Sequence, residues 1–188
     1  MRYGSAWIIL ALGFSPCLWA EPRPAYPYAV TLDGGYGRPV ATAGFSGRLA
    51  SGTDGALDLE YRGWDCLGLG VGLNYLAVNQ DGFSEGLGSL DLFARLVPFG
   101  RATWEPYALL GVGSLVAASA SDAARVRDAA SHASLALGLL YAIDPRWAVD
   151  GALSYQTIGP FEDSLNYLDV RIGLQARFGA DSAARRSE

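Results

Sequence analysis

The chain has 188 residues, a length suited to one domain, with 14 basic against 19 acidic residues and a formal net charge of −5. That balance argues against a nucleic-acid surface, which needs clustered positive charge. One histidine and 2 cysteines are too few for a zinc site of the usual kind, and no glycine-rich phosphate loop opens a helix, so no metal and no cofactor is expected.

Met1 and Arg2 make a positive start, Ala6 to Phe14 form an apolar run too short to span a bilayer as a helix, and Pro16 breaks it. Ala20 then offers a small residue for cleavage before Glu21. Residues 1–20 read as a secretory signal peptide. The alternative is a lipoprotein signal with Cys17 lipidated, which Pro16 fits poorly because a small residue is wanted there. Cleavage at this point leaves 13 basic and 19 acidic residues, a net of −6, and Cys66 as the one cysteine of the mature chain. All the basic residues are arginine, whose planar guanidinium pairs bidentately with carboxylates in confined spaces. No later stretch has the ~18 apolar residues of a transmembrane helix, a test that does not detect barrels.

Eight strands are predicted in chain order from a two-residue period. The first, Tyr28 to Gly37, sets Tyr28, Val30, Leu32 and Tyr36 against Ala29, Thr31, Asp33 and Gly35. The second, Ala56 to Arg62, opposes Leu57, Leu59 and Tyr61 to Asp58, Glu60 and Arg62. In the third, Leu67 to Val78, five large apolar residues alternate with Gly68, Gly70, Gly72 and Asn74. The fourth, Leu90 to Val97, sets Leu90, Leu92, Ala94 and Leu96 against Asp91, Phe93 and Arg95.

The fifth, Tyr107 to Ala117, has no clean alternation, and its faces stay open. In the sixth, Ser134 to Ala142, Leu135, Leu137, Leu139 and Tyr141 oppose Ala136, Gly138 and Leu140. The seventh, Trp147 to Ile158, sets Trp147, Val149, Leu153 and Tyr155 against Asp150, Ala152, Ser154 and Gln156. The eighth, Leu168 to Phe178, is the most regular. Leu168, Val170, Ile172, Leu174, Ala176 and Phe178 share one face, and Asp169, Arg171, Gly173, Gln175 and Arg177 share the other.

Tight turns at 63–65, 99–101 and 144–146 alternate with mostly longer connections at 38–55, 79–89, 118–133 and 159–164. Short turns at one end and long loops at the other are the pattern of an up-and-down barrel in the outer membrane, with both termini in the periplasm. Trp64, Trp104, Trp147, Tyr28 and Phe178 fall at the turn end, and Tyr36, Tyr75, Tyr155 and Tyr167 at or near the other, as two interfacial girdles would. A secreted lipocalin-like barrel would show the same alternation with the faces inverted. The small, glycine-rich polar face and the aromatics at both ends of the apolar face favour the membrane barrel.

With that phase the lumen holds Asp33, Asp58, Glu60, Asp91, Asp150 and Asp169 against Arg62, Arg95, Arg171 and Arg177. Eight strands leave an interior only wide enough for side chains, so these charges must pair and plug it.

The signal, the eight strands and the closing Tyr167-Leu-Asp-Val-Arg-Ile-Gly-Leu-Gln-Ala-Arg-Phe178 resemble the small outer-membrane barrels of the OmpA/OmpX-like superfamily, over essentially the whole mature chain. The resemblance implies a signal-cleaved, monomeric, eight-stranded barrel in the outer membrane of a Gram-negative cell. It also implies contact with lipid and lipopolysaccharide, and loops free to meet a surface protein. Its expected division is signal peptide 1–20, barrel 21–178 and polar periplasmic tail 179–188. Longer relatives carry a peptidoglycan-binding domain; only ten residues follow Phe178 here.

Some barrels of this size modify lipid A, and the deacylase type uses a His-x-Ser pair with a separate acid. His132-Ala133-Ser134 is the one such seed here, but it sits at a loop–strand boundary, and the late strand holding Ser154 and Tyr155 has no histidine. Nothing in the spacing brings base, acid and nucleophile together. A rim histidine is the simpler reading, and lumen packing is the simpler reading of Asp58/Glu60 and Asp169/Arg171. No catalytic residue is therefore assigned.

Cys66, near a turn, reads as a small buried residue. Phe45, Phe83 and Phe161, in three of the long connections, read as interfacial aromatics. Besides a non-enzymatic envelope or surface role, a lipid A-modifying enzyme and a narrow channel remain as alternatives. The membrane barrel predicts heat-modifiability: unboiled protein from the outer-membrane fraction should migrate differently from boiled protein. A band confined to the soluble periplasm with no shift would invert the faces.

Overall fold

The computed structural model describes residues 26–42, 51–80, 83–117, 131–158 and 165–179. Residues 1–20, the tail after Gly179, Phe45 and Phe161 lie outside the described residues. Eight strands follow one another: β1 (Tyr28–Thr42), β2 (Gly52–Trp64), β3 (Leu67–Gln80), β4 (Phe83–Leu96), β5 (Trp104–Ala117), β6 (Ser131–Ala142), β7 (Trp147–Ile158) and β8 (Leu165–Phe178). Each pairs antiparallel with its chain neighbours, and β8 closes onto β1 from Tyr28↔Phe178 to Thr42↔Leu165. Closure satisfies both edges of every strand, so no row of unpaired amides faces the surroundings.

The strands are longer than the alternation indicated, mostly toward the end of the barrel remote from the termini, here called the far end. β2 begins at Gly52, β4 at Phe83 and β6 at Ser131. Ladder pairing continues past the apolar stripe there because it needs only backbone, while the apolar–polar period stops with the stripe. The expected short–long alternation is corrected accordingly. β3 and β4 are separated by residues 81 and 82 alone, and Phe83 belongs to β4 rather than to a loop. At the terminal end, β2 and β3 are separated by Asp65 and Cys66, whereas β4 and β5 are joined by Val97 to Thr103.

Local chemistry accounts for the described turns. Gly100 adopts φ +66°, which a side chain would strain, and its amide donates to the Val97 carbonyl (3.1 Å). Asp144 Oδ1 accepts from the amides of Arg146 (2.6 Å) and Trp147 (2.8 Å), an Asx turn that starts β7. Both strand prolines sit where a ladder donor is dispensable. Pro106 lies where β5 runs past the end of β4, whose last pair is Leu96↔Ala108, and Pro39 lies beyond the β1–β2 pairing, at the β1–β8 register shift.

The predicted apolar face points outward. Leu92, Val112 and Val170 are each 64% exposed and Ile172 is 69% exposed, values that only a hydrocarbon surrounding accommodates across a whole girth. Among the described residues no charge interrupts this belt; Arg38, at the far rim, is the one outward-facing charged residue of the strands. At the terminal end Tyr28 packs on Tyr61 (5.4 Å between centroids) and Phe178 (5.8 Å), and Trp104 packs on Tyr141 (4.5 Å), with Trp64 and Trp147 also exposed. At the far rim Tyr36, Tyr75 and Tyr155 are exposed, but Tyr167 is fully buried. Parity explains the correction, since Tyr167 shares the inward face of Asp169 and Arg171.

β5, whose faces were open, turns Glu105, Tyr107 and Leu109 inward and Trp104, Leu110 and Val112 outward. Leu109 and Leu110 stand side by side on opposite faces, which blurs the period. Inward, Val97, Tyr107, Leu140 and Ala148 form a small apolar cluster toward the terminal end, and Cys66, buried at the β2–β3 turn, accepts the Val97 amide at its carbonyl (2.8 Å).

Glycine makes room for the larger lumen residues. Gly173 faces Asp33 in register, and a Cβ there would lie 2.6 Å from the Leu32 carbonyl oxygen and collide with the Asp33 carboxylate. Gly151, on the lipid face, has nothing within 4 Å of its Cβ position. Gly173→Ala should therefore destabilise the barrel by about 1–3 kcal/mol, the usual cost of overpacking. Gly151→Ala should stay within about 0.5 kcal/mol of the parent. Urea midpoints measured from lipid vesicles check both; equal midpoints would refute the packing assignment.

Candidate functional site

The lumen is the one place where polar side chains converge among the described residues. Eight carboxylates (Asp33, Asp54, Asp58, Glu60, Asp91, Glu105, Asp150 and Asp169) face four guanidinium groups (Arg62, Arg95, Arg171 and Arg177). Alternation places six of these acids in the lumen. It misses Asp54 and Glu105 because the clean apolar–polar period begins only at Ala56 in β2 and is lacking in β5. The inward parity of each strand, run back two residues, would have found both.

The groups form two clusters. Toward the terminal end, Glu60 accepts from Arg62 (3.0 Å) and Arg95 (2.8 Å), while Glu105 Oε2 accepts from both Arg62 (3.0 Å) and Arg177 (3.1 Å). Arg177 also donates to Gln175 (2.9 Å), whose amide donates to Thr31 (3.2 Å). All five charged residues are almost wholly buried, so each guanidinium needs its carboxylate to offset desolvation. Arg95 reaches on toward mid-barrel, within 3.8 Å of Asp150 and 4.0 Å of Asp58, and lies over the Tyr107 ring at 4.6 Å. Tyr107 in turn donates to Asp150 (2.8 Å).

Toward the far end, Arg171 donates to Asp54 (2.5 Å), to Asp169 (3.4 Å) and to the Asn74 side-chain oxygen (3.2 Å). Asn74 donates to Asp91, which also accepts from Ser89 (3.2 Å). His132 bonds Asp91 through Nδ1 (2.8 Å) and Gln156 Oε1 through Nε2 (3.0 Å), and Gln156 donates to Asp169. Between the clusters lies a void of about 30 Å³, lined by Asp33, Asp58, Asp91, Arg95, Ser134 and Arg171 among others. That is room for about two waters, not for an acyl chain or a sugar.

The candidate deacylase pair is partly assembled. His132 is buried in the lumen and carries an acid, Asp91, on one nitrogen, an association the sequence did not disclose because β4 and β6 are not adjacent. Its other nitrogen faces the Gln156 amide instead of Ser134, whose hydroxyl lies against Gly111 of β5. Base and acid meet without a nucleophile, and they face the lumen rather than the lipid. Asp58/Glu60 and Asp169/Arg171 are likewise members of the two ion-pair clusters. Among the described residues no group of three or more His, Cys, Asp or Glu side chains has the geometry to hold a metal ion.

No family model and no curated protein matches this chain in sequence. Solved structures do match its shape. Neisserial surface protein A (NspA) superposes with a TM-score of 0.62 at 16% identity, covering 83% of this chain and 100% of that one. OprG from Pseudomonas aeruginosa gives 0.56 at 16% identity, covering 82% and 98%. Ail, the attachment invasion locus protein of Yersinia pestis, gives 0.51 at 13% identity, covering 81% and 99%. At these identities the likeness speaks for fold, and with the closed eight-strand topology and the exposed apolar belt it gives this chain the fold of a small eight-stranded transmembrane β-barrel, the fold those outer-membrane proteins share.

Proposed function

We propose that this protein is a monomeric, non-enzymatic component of the Gram-negative outer membrane with a plugged lumen, serving envelope integrity or surface interaction through its far-end loops. The observation that carries this reading is the lumen itself. All four of its guanidinium groups pair with carboxylates, on strands from β2 to β8, and the void between the two clusters has room for about two waters. What remains for recognition is lipid and lipopolysaccharide around the belt and partners meeting the loops, where binding residues concentrate on rigid scaffolds. Proteins of like fold named for surface location or attachment, NspA and Ail, agree with such a role.

In this reading residues 1–20 are a cleaved signal, residues 179–188 a periplasmic tail, and the terminal end of the barrel faces the periplasm. The lipid A-modifying alternative is supported only by the Asp91–His132 pair, and the narrow channel only by the central void.

Three measurements on one preparation test the reading. The mature protein should begin at Glu21 and fractionate with the outer membrane. Planar bilayers containing it should show no steady ion current, and lipid A from expressing cells should keep its acyl chains. A steady current would replace the plug with a channel. Acyl loss that His132→Ala abolishes would make it an enzyme. Glu105→Ala, which strips the shared carboxylate from Arg62 and Arg177, should cost about 3–5 kcal/mol in unfolding free energy, as breaking a buried pair does. An unchanged denaturation midpoint would show that these ion pairs do not hold the plug.

A further inference from the structure

The last level of the lumen at the terminal end is drier than its place in the fold requires. Glu105 is the second residue of β5, Arg177 the last but one of β8, and Arg62 lies just past the Tyr28↔Tyr61 pair of β1 and β2. Little ladder remains beyond these three, and an open mouth would leave them to water. They are nevertheless 0%, 6% and 2% exposed.

Two groups meet across that mouth. Arg101, in the β4–β5 turn, lies within electrostatic reach of Arg62, Arg177 and Glu105. Its Nη2 donates to the Tyr26 carbonyl (2.5 Å). Tyr26 and Pro27 precede β1, which stands opposite β5 in the closed ring of eight strands. Two extended residues cover about 7 Å. A chain that continued down its own wall would not meet a turn on the opposite wall, so the segment ahead of Tyr28 leans under the opening.

Other contacts complete the hold. Arg146, between β6 and β7, lies 5.8 Å from the centroid of the Tyr26 ring and within hydrogen-bonding reach of its hydroxyl. The Pro27 carbonyl accepts the Arg62 amide (2.7 Å), and the Arg146 carbonyl accepts the Arg177 amide (2.7 Å). One dipeptide is thus tied to β2, to the β4–β5 turn and to the β6–β7 turn, three points spaced round the mouth. Pro27 fixes its own φ, which lowers the entropy lost in holding the segment there.

We propose that Tyr26 and Pro27 form a strap that closes the terminal mouth of the lumen, with Arg101 and Arg146 as its clasps, and that this closure keeps water from the ion pairs of Glu105. The clasps grip a carbonyl and a phenol, not a carboxylate. Lifting the strap therefore leaves Glu105 with both Arg62 and Arg177, and the mouth can open without orphaning a buried charge. The strap goes beyond the plugged-lumen reading: the ion pairs obstruct the lumen with or without it, and it decides whether water reaches them from the terminal end.

Hydrogen exchange of the arginine Nε–H groups, read by nitrogen-15 NMR on the full mature protein in nanodiscs, tests the strap. The Nε–H groups of Arg62 and Arg177, bonded to Glu60 and Gln175, should exchange slowly in the parent. Arg101→Ala, which frees the Tyr26 carbonyl, and Tyr26→Ala, which removes the ring, should each speed them by on the order of tenfold or more, as a local opening does. Arg171 Nε–H, at the far end, should keep its rate, and Arg101→Lys, which keeps a charged donor, should restore part of the protection. Fast exchange at Arg62 and Arg177 in the parent, or unchanged rates in both alanine variants, would overturn the strap. Equal acceleration at Arg171 would show a loosened barrel and overturn it too. If Arg101→Ala fails to fold, Tyr26→Ala decides. A steady current through the parent would defeat the plugged-lumen reading, whereas unchanged exchange in both variants without current would defeat the strap alone.

Discussion

Everything inside this barrel answers to its width. Eight strands enclose an interior that side chains just fill, and a hydrocarbon exterior obliges the polar half of every strand to point into it. Facing lumen residues therefore cannot all be large. The chain meets that limit in part by setting a glycine in register opposite several of its larger lumen residues. Asp58 faces Gly72, Phe93 faces Gly70 and Gly111, Asp91 faces Gly113 through β5, and Tyr107 faces Gly138. The glycines are therefore neither turn residues nor signs of flexibility. They are spaces reserved for a neighbour's carboxylate or ring.

Crowding brings charges into contact, and low dielectric makes each contact matter. With the lumen walled by lipid, an unpaired guanidinium there has no water to turn to, so Arg62 and Arg177 share one carboxylate and Arg95 reaches three acids. Arginine suits this use better than lysine because its fork binds two or three acceptors at once. Asp33 Oδ1, Asp54 Oδ1 and Asp169 Oδ1 are buried without a hydrogen-bond partner. The first two occupy the space that a Cβ would take at Gly173 and Gly35. The glycine that makes room for a carboxylate thus also becomes its neighbour.

Period and parity made most of this legible from residues alone. Eight strands, the inward face of seven of them, the terminal aromatic rim and six of the eight lumen acids follow from alternation. What alternation did not carry is equally physical. The β3–β4 connection looked long because Gly82 to Gly88 has few apolar residues, yet the ladder continues through it on backbone bonds. Tyr167 looked like a rim aromatic by composition, although parity put it inside. The pairing of His132 with Asp91 was invisible because it crosses the lumen between strands that are not neighbours, and no local pattern encodes a contact across a closed sheet.

Those cross-lumen contacts give the structure something the ladder does not. Backbone bonds tie each strand only to its two neighbours, so a barrel held by ladders alone can flatten without breaking one. Arg177 to Glu105 joins β8 to β5, Arg62 to Glu105 joins β2 to β5, Arg95 to Glu60 joins β4 to β2, and Tyr107 to Asp150 joins β5 to β7. Each is a strut across the cross-section, and flattening would stretch some while compressing others. The far half has the same arrangement in another chemistry: Asn74, Asp91, His132, Gln156, Asp169 and Arg171 join β3, β4, β6, β7 and β8 in a ring, β2 is attached through Asp54, and the inward glycines of β1 and β5 leave room for these side chains. The ion pairs and the ring thus fix the barrel's shape in section, as the ladders fix its circumference, and the same side chains that occupy the lumen hold it open to that width.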